Sequence, residues 1–125
     1  MARRILIAVL AATVLGAFAL AAAQIPEGKQ VLKFETKMGT VTFEHAKHAG
    51  FEGVTCMTCH HKTKEGETPK ACSECHARKP ADDTPKLQKA VHNRCWGCHQ
   101  ERADAGAKHG PLKGAKNCRK CHVKG

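Results

Sequence analysis

Large apolar side chains are scarce in this 125-residue chain once its first segment is set aside. From Gln24 to Gly125, Val, Ile, Leu and Phe together number only 12 in 102 residues, and Met and Trp raise that total to 15. Tyrosine is absent, which excludes tyrosyl chemistry of any kind. Acidic residues are also in short supply, with 11 Asp+Glu facing 21 Lys+Arg for a formal net charge of +10. A chain with less than roughly 20% of these four apolar residues and a high net charge cannot bury enough surface to offset the entropy of ordering. Such a composition excludes an ordinary globular enzyme built on a side-chain core. Order would require a core supplied by something other than side chains, and the length confines it to one domain.

The long apolar stretch that does exist lies at the start. Arg3 and Arg4 precede an apolar run from Ile5 to Leu20, followed by Ala21-Ala22-Ala23. A positive segment, an apolar segment and a small-residue site describe a secretory signal peptide over residues 1–23. Ile5–Ala23 also approaches the length of an uncleaved membrane anchor, but its alanine content and small-residue end favour cleavage after Ala23. The expected functional domain is therefore 24–125. Export would place eight cysteines in an oxidising space, where disulfides are the ordinary expectation.

The spacing of those cysteines points elsewhere. They form Cys56-Met57-Thr58-Cys59-His60, Cys72-Ser73-Glu74-Cys75-His76, Cys95-Trp96-Gly97-Cys98-His99 and Cys118-Arg119-Lys120-Cys121-His122, with no cysteine left over. C-x-x-C-H is the attachment motif of c-type haem. Two thiols add to the two vinyl groups of one haem, two intervening residues allow a short turn to reach both, and the following His ligates iron from below. Zinc ribbons and disulfides within each C-x-x-C are the rival readings, but neither requires a His after every second Cys. Four haems also supply the missing core, at about 25 residues of wrapping each.

Five further histidines, His45, His48, His61, His92 and His109, remain for four distal positions. After cleavage only Met38 and Met57 could compete, and Met57 is locked inside the first motif. Bis-His ligation follows for every iron. It lowers the reduction potential relative to Met ligation and leaves no open position for a substrate. His45 and His48 share one side of a helical turn and should therefore serve two different haems. His61 adjoins His60 and should cap another. His109 lies in the loop-like Lys108-His109-Gly110-Pro111 and reads as an exposed residue. His92, three residues before Cys95, is intermediate between ligand and bystander.

The fold class expected is a small multihaem fold of irregular loops and short helices around four covalently bound haems. A short N-terminal β-hairpin is expected from Val31–Phe34 and Val41–Phe43 around Lys37-Met38-Gly39-Thr40. Helical turns are expected at His45–Ala49 and Lys86–Trp96. Phe43, Phe51 and Trp96 either pack on porphyrin faces or fill gaps. Basic residues gather toward the end, at Lys108, Lys113, Lys116, Arg119, Lys120 and Lys124. Such a patch suits an acidic partner; export makes nucleic acid an improbable one.

The run Val41-Thr42-Phe43-Glu44-His45-Ala46-Lys47-His48, then Cys56–His61 and the three later motifs, resembles the class III c-type cytochromes, specifically tetrahaem cytochrome c3. The resemblance implies that His45 pairs with His60, His61 with His76, His48 with His99 and His92 with His122. It implies a periplasmic, non-enzymatic carrier of low-potential electrons between hydrogenases or formate dehydrogenases and membrane redox complexes. Trihaem relatives lack the second haem, whereas Cys72, Cys75, His76 and His61 are all present here. A small multihaem reductase of metal ions or oxyanions is the alternative, as is a cytochrome subunit of a membrane-bound electron-transfer complex if the leader stays uncleaved.

Overall fold

A computed structural model of the chain describes residues 25–80 and 82–125; the expected leader, 1–23, lies outside the described residues. The hairpin forms where apolar and polar residues alternate. Strand β1 (Leu32–Thr36) pairs antiparallel with β2 (Gly39–Phe43), with Leu32 opposite Phe43, Phe34 opposite Val41 and Thr36 opposite Gly39. Because side chains alternate across a strand, this register gathers Leu32, Phe34, Val41 and Phe43 on one face. The Thr36 hydroxyl closes the turn, donating to the Gly39 carbonyl at 2.6 Å and accepting from the Met38 N–H at 3.1 Å.

A third strand joins this sheet, which the sequence reading did not anticipate. Strand β3 (His122–Val123) pairs antiparallel with β2, His122 opposite Val41 and Val123 opposite Thr40. Two residues are too few to show a period of two, so pattern alone could not reveal them. Gly39 makes the docking feasible. Its φ is +123°, and a β-carbon there would lie 2.5 Å from the Val123 carbonyl oxygen.

The helices are mostly single turns: α1 (His45–Ala49), α2 (Cys56–Cys59), α3 (Cys72–Cys75) and α5 (Cys118–Cys121), the last preceded by a 3₁₀ turn at Ala115–Asn117. Side chains cap two of them. The Thr55 N–H donates to Thr58 Oγ1 at 3.0 Å ahead of α2, and the Ala71 N–H donates to Glu74 Oε1 at 2.6 Å ahead of α3. These are the back-bonding halves of capping boxes.

The exception is α4 (Leu87–Asp104), 18 residues long. The expected turn over Lys86–Trp96 therefore has to be extended. The third C-x-x-C is itself helical and is followed by Gln100, Glu101, Arg102 and Ala103, all good helix formers. Gln100 Nε2 donates to Asp104 Oδ1 at 2.8 Å across one turn, and Gly106, at φ +69°, ends the segment.

What these elements do not make is a core. No described residue is buried, and Phe34, on the apolar face of the hairpin, is 48% exposed. Short helices, a three-stranded sheet and irregular loops make up the described residues.

Candidate functional site

Eight of the nine histidines meet in four pairs. Ring centres lie 6.2 Å apart for His45 and His60, 5.9 Å for His61 and His76, 6.4 Å for His48 and His99, and 6.1 Å for His92 and His122. One member of each pair directly follows a C-x-x-C turn. An imidazole nitrogen binds a first-row metal at about 2.0–2.1 Å and sits about 1.1 Å from its own ring centre, so two imidazoles on opposite sides of one ion have centres about 6.3 Å apart. The observed separations match that value.

Local structure explains how so few residues reach four places. Helix α1 carries His45 toward His60 and His48 toward His99, three positions apart on one turn. His60 and His61, where the chain leaves α2, diverge to His45 and His76. Helix α4 contributes to two pairs, through His92 and His99.

The tautomers are set by what Nδ1 meets. It donates to the Lys29 carbonyl from His45 (2.9 Å), to Glu44 from His48 (2.8 Å), to Lys70 from His60 (2.9 Å), to Pro85 from His76 (2.9 Å) and to Pro111 from His99 (2.9 Å). A carbonyl oxygen only accepts, so Nδ1 carries the proton and Nε2 keeps the lone pair, the arrangement typical of metal-ligating histidine. His122 differs, since its Nδ1 meets the Thr36 hydroxyl at 3.0 Å. His92 is held by stacking on Trp96, centres 4.4 Å apart and planes within 10°. Burial, and then the neighbouring His122 imidazole, hold His92 below the usual imidazole pKa and so favour its neutral form.

His109 joins none of these pairs. Its Nδ1 donates to the neighbouring Gly110 carbonyl at 2.7 Å. Phe43 packs 4.4 Å from the His48 ring and 5.8 Å from that of His45, and Phe51 meets His48 edge-on at 6.0 Å. The aromatic side chains thus support imidazoles. The residues that sequence reasoning missed are Thr36 and the carbonyls of Lys29, Glu44, Lys70, Pro85 and Pro111. Main-chain acceptors leave no side-chain signature, so only the two prolines marked their loops.

None of the eight cysteines is paired in a disulfide. Burial raises the pKa of Cys59, Cys95 and Cys121, keeping them protonated at neutral pH. Among the described residues no three His, Cys, Asp or Glu side chains converge on one point, as a zinc site requires. The arrangement instead fits a group that takes two facing imidazoles and two thiols of one helical turn, and that covers apolar surface. A cavity of about 490 Å³ opens beside His61 and His76, bounded by Lys62 and the 82–85 segment.

No individual curated protein matches this sequence. A family model does, that of the class III cytochrome c family, over residues 20–122. That span holds every paired histidine and every C-x-x-C turn, and on this match the chain belongs to the class III cytochrome c family.

Proposed function

We propose that the protein is a periplasmic, low-potential electron carrier with four covalently attached haem c groups, each iron ligated by two histidines. Electron transfer by haem iron is the business of the family; the haem number, ligand set, compartment and partners are the proposal. The observation that carries it is the set of four imidazole pairs, spaced 5.9–6.4 Å between centres and each beside its own C-x-x-C turn.

Cys56 and Cys59 would hold the first haem with His60 and His45 as iron ligands, and Cys72 and Cys75 the second with His76 and His61. Cys95 and Cys98 would hold the third with His99 and His48, and Cys118 and Cys121 the fourth with His122 and His92. Each bound haem supplies a one-electron iron couple. The protein residues would fix that couple: two imidazoles would hold each iron and leave no coordination site for a substrate, which favours a carrier over a reductase. Main-chain acceptors at Nδ1 make the imidazoles stronger donors and favour ferric iron, which lowers the potential.

The basic residues Lys116, Arg119, Lys120 and Lys124 around the fourth motif suit an acidic redox partner, of the hydrogenase, formate dehydrogenase or membrane cytochrome kind. A pyridine haemochrome assay with intact mass of the exported protein tests the reading. Four haem c groups on a chain beginning at Gln24, with only low-spin ferric signals, are expected. Three haems or a high-spin ferric signal would refute it.

A further inference from the structure

We propose that Thr36 is a positioning residue for His122 and that its hydroxyl tunes the potential of the fourth haem separately from those of the other three. The inference rests on the four-haem reading and adds to it an assignment of what distinguishes one site. The three other histidines that follow a C-x-x-C turn donate Nδ1–H to main-chain carbonyls, of Lys70, Pro85 and Pro111. His122 alone among them meets a side chain.

The hydroxyl of Thr36 is fully committed. A threonine hydroxyl has one proton and two lone pairs. The proton goes to the Gly39 carbonyl at 2.6 Å, one lone pair takes the Met38 N–H at 3.1 Å, and the other faces His122 Nδ1 at 3.0 Å. With its proton engaged elsewhere, the hydroxyl can only accept from His122, so Nδ1 is the protonated nitrogen and Nε2 is the ligating one. A hydroxyl oxygen shared between two donors is a weaker acceptor than an amide carbonyl. It withdraws less from the Nδ1–H bond and leaves His122 the least basic of the four. A less basic ligand favours ferric iron less, and the midpoint potential is higher than a main-chain acceptor would give.

The device is built into the sheet. Pairing of β3 with β2 brings His122 to the hairpin, 86 residues along the chain from Thr36. Three of the acceptors belong to the main chain and are insensitive to side-chain identity. This one is a side chain, so the fourth site alone can be retuned by a single substitution.

The test uses the haem-loaded protein and its T36V and T36S variants. Haem count is measured first, then the four potentials are resolved by redox titration followed through the hyperfine-shifted haem methyl signals. Loss of the acceptor in T36V should raise the fourth potential, changing its ferric-to-ferrous ratio at fixed potential by roughly three- to tenfold, tenfold being about 59 mV for one electron. T36S keeps the hydroxyl and should leave that potential at the wild-type value, which separates the hydrogen bond from damage to the turn. An unmoved fourth potential in T36V, an equal rise in T36S, or a rise spread over all four haems would overturn the role of Thr36. Fewer than four haems in the wild-type protein would instead overturn the reading beneath it.

Discussion

Gly110 lies against the His99 imidazole, and adding one methyl group there should damage the third site first. A β-carbon on Gly110 would sit 2.7 Å from His99 Nε2 and 2.9 Å from Nδ1, and closer still to the carbon between them. Favourable packing needs about 3.5 Å, so the ring or the loop must retreat by about 1 Å. Neither can do so without loss. The next residue, Pro111, supplies the carbonyl that holds His99 Nδ1 at 2.9 Å, so a shifted loop drops that bond, while a shifted ring strains the iron bond proposed for Nε2. Overpacking of this kind costs about 1–3 kcal/mol, equivalent to roughly 5- to 150-fold in the ligation equilibrium. The assay is ferric EPR and visible spectroscopy of haem-loaded Gly110→Ala beside Gly97→Ala. Gly97 is the proper control, since it lies within the same third motif, in the helix, with nothing within 4 Å of its β-carbon position. Gly110→Ala should show high-spin character at one haem and a lower melting temperature. Gly97→Ala should be low-spin throughout and, by helix propensity, up to about 1 kcal/mol more stable. Indistinguishable variants would refute the claim that Gly110 is small in order to seat His99.

Three further outcomes are expected. Produced without haem attachment, the chain should give no cooperative thermal transition by calorimetry, since no described residue is buried and ordering costs about 1–2 kcal/mol per residue; a sharp melt would contradict this. His92→Ala should convert one haem to the high-spin form while His109→Ala leaves the ferric spectrum unchanged, and the reverse result would reassign the fourth pair. Gly39→Ala, with its β-carbon against Val123 and a φ of +123°, should cost the haem-loaded protein on the order of 1–3 kcal/mol, read as a lower melting temperature, with the fourth haem the first to turn high-spin on heating.

Much of this arrangement was legible because residue type and spacing carry it. The C-x-x-C-H turns were evident from residue type alone, as was the hairpin, where Leu32, Phe34, Val41 and Phe43 alternate with polar neighbours. The shared helix of His45 and His48 followed from a separation of three. The full length of α4 was not evident, since Gly97 and two cysteines interrupt its pattern and its stability past Cys98 comes from ordinary surface residues. Strand β3 was too short to announce itself. The contact between Thr36 and His122 joins the two ends of the domain through a hydroxyl, and nothing in either neighbourhood marks it. Trp96 was ambiguous for a related reason: a tryptophan reads as core or cofactor contact by composition, whereas here it stacks on an imidazole one helical turn away.

The absence of a side-chain core has a consequence for how the four sites depend on one another. In an ordinary domain each element is fixed by many apolar contacts, so losing one contact is local. Here the elements meet chiefly at imidazole pairs, and neighbouring pairs share a segment. His60 and His61 join the first pair to the second, α1 joins the first to the third through His45 and His48, and α4 joins the third to the fourth through His99 and His92. The sheet then returns the fourth pair to α1, since β3 docks on β2 and Phe43 at its end packs on His48. The third and fourth pairs therefore lie on a closed mechanical circuit, while the second is fastened beside it by the packing of α3 on α4 and by the Leu87 N–H, which donates to the Ala77 carbonyl at 3.0 Å. Removing His61 should disturb its own site and little else. Removing His48 opens the circuit, and its effects should reach the first and fourth sites as well as the third.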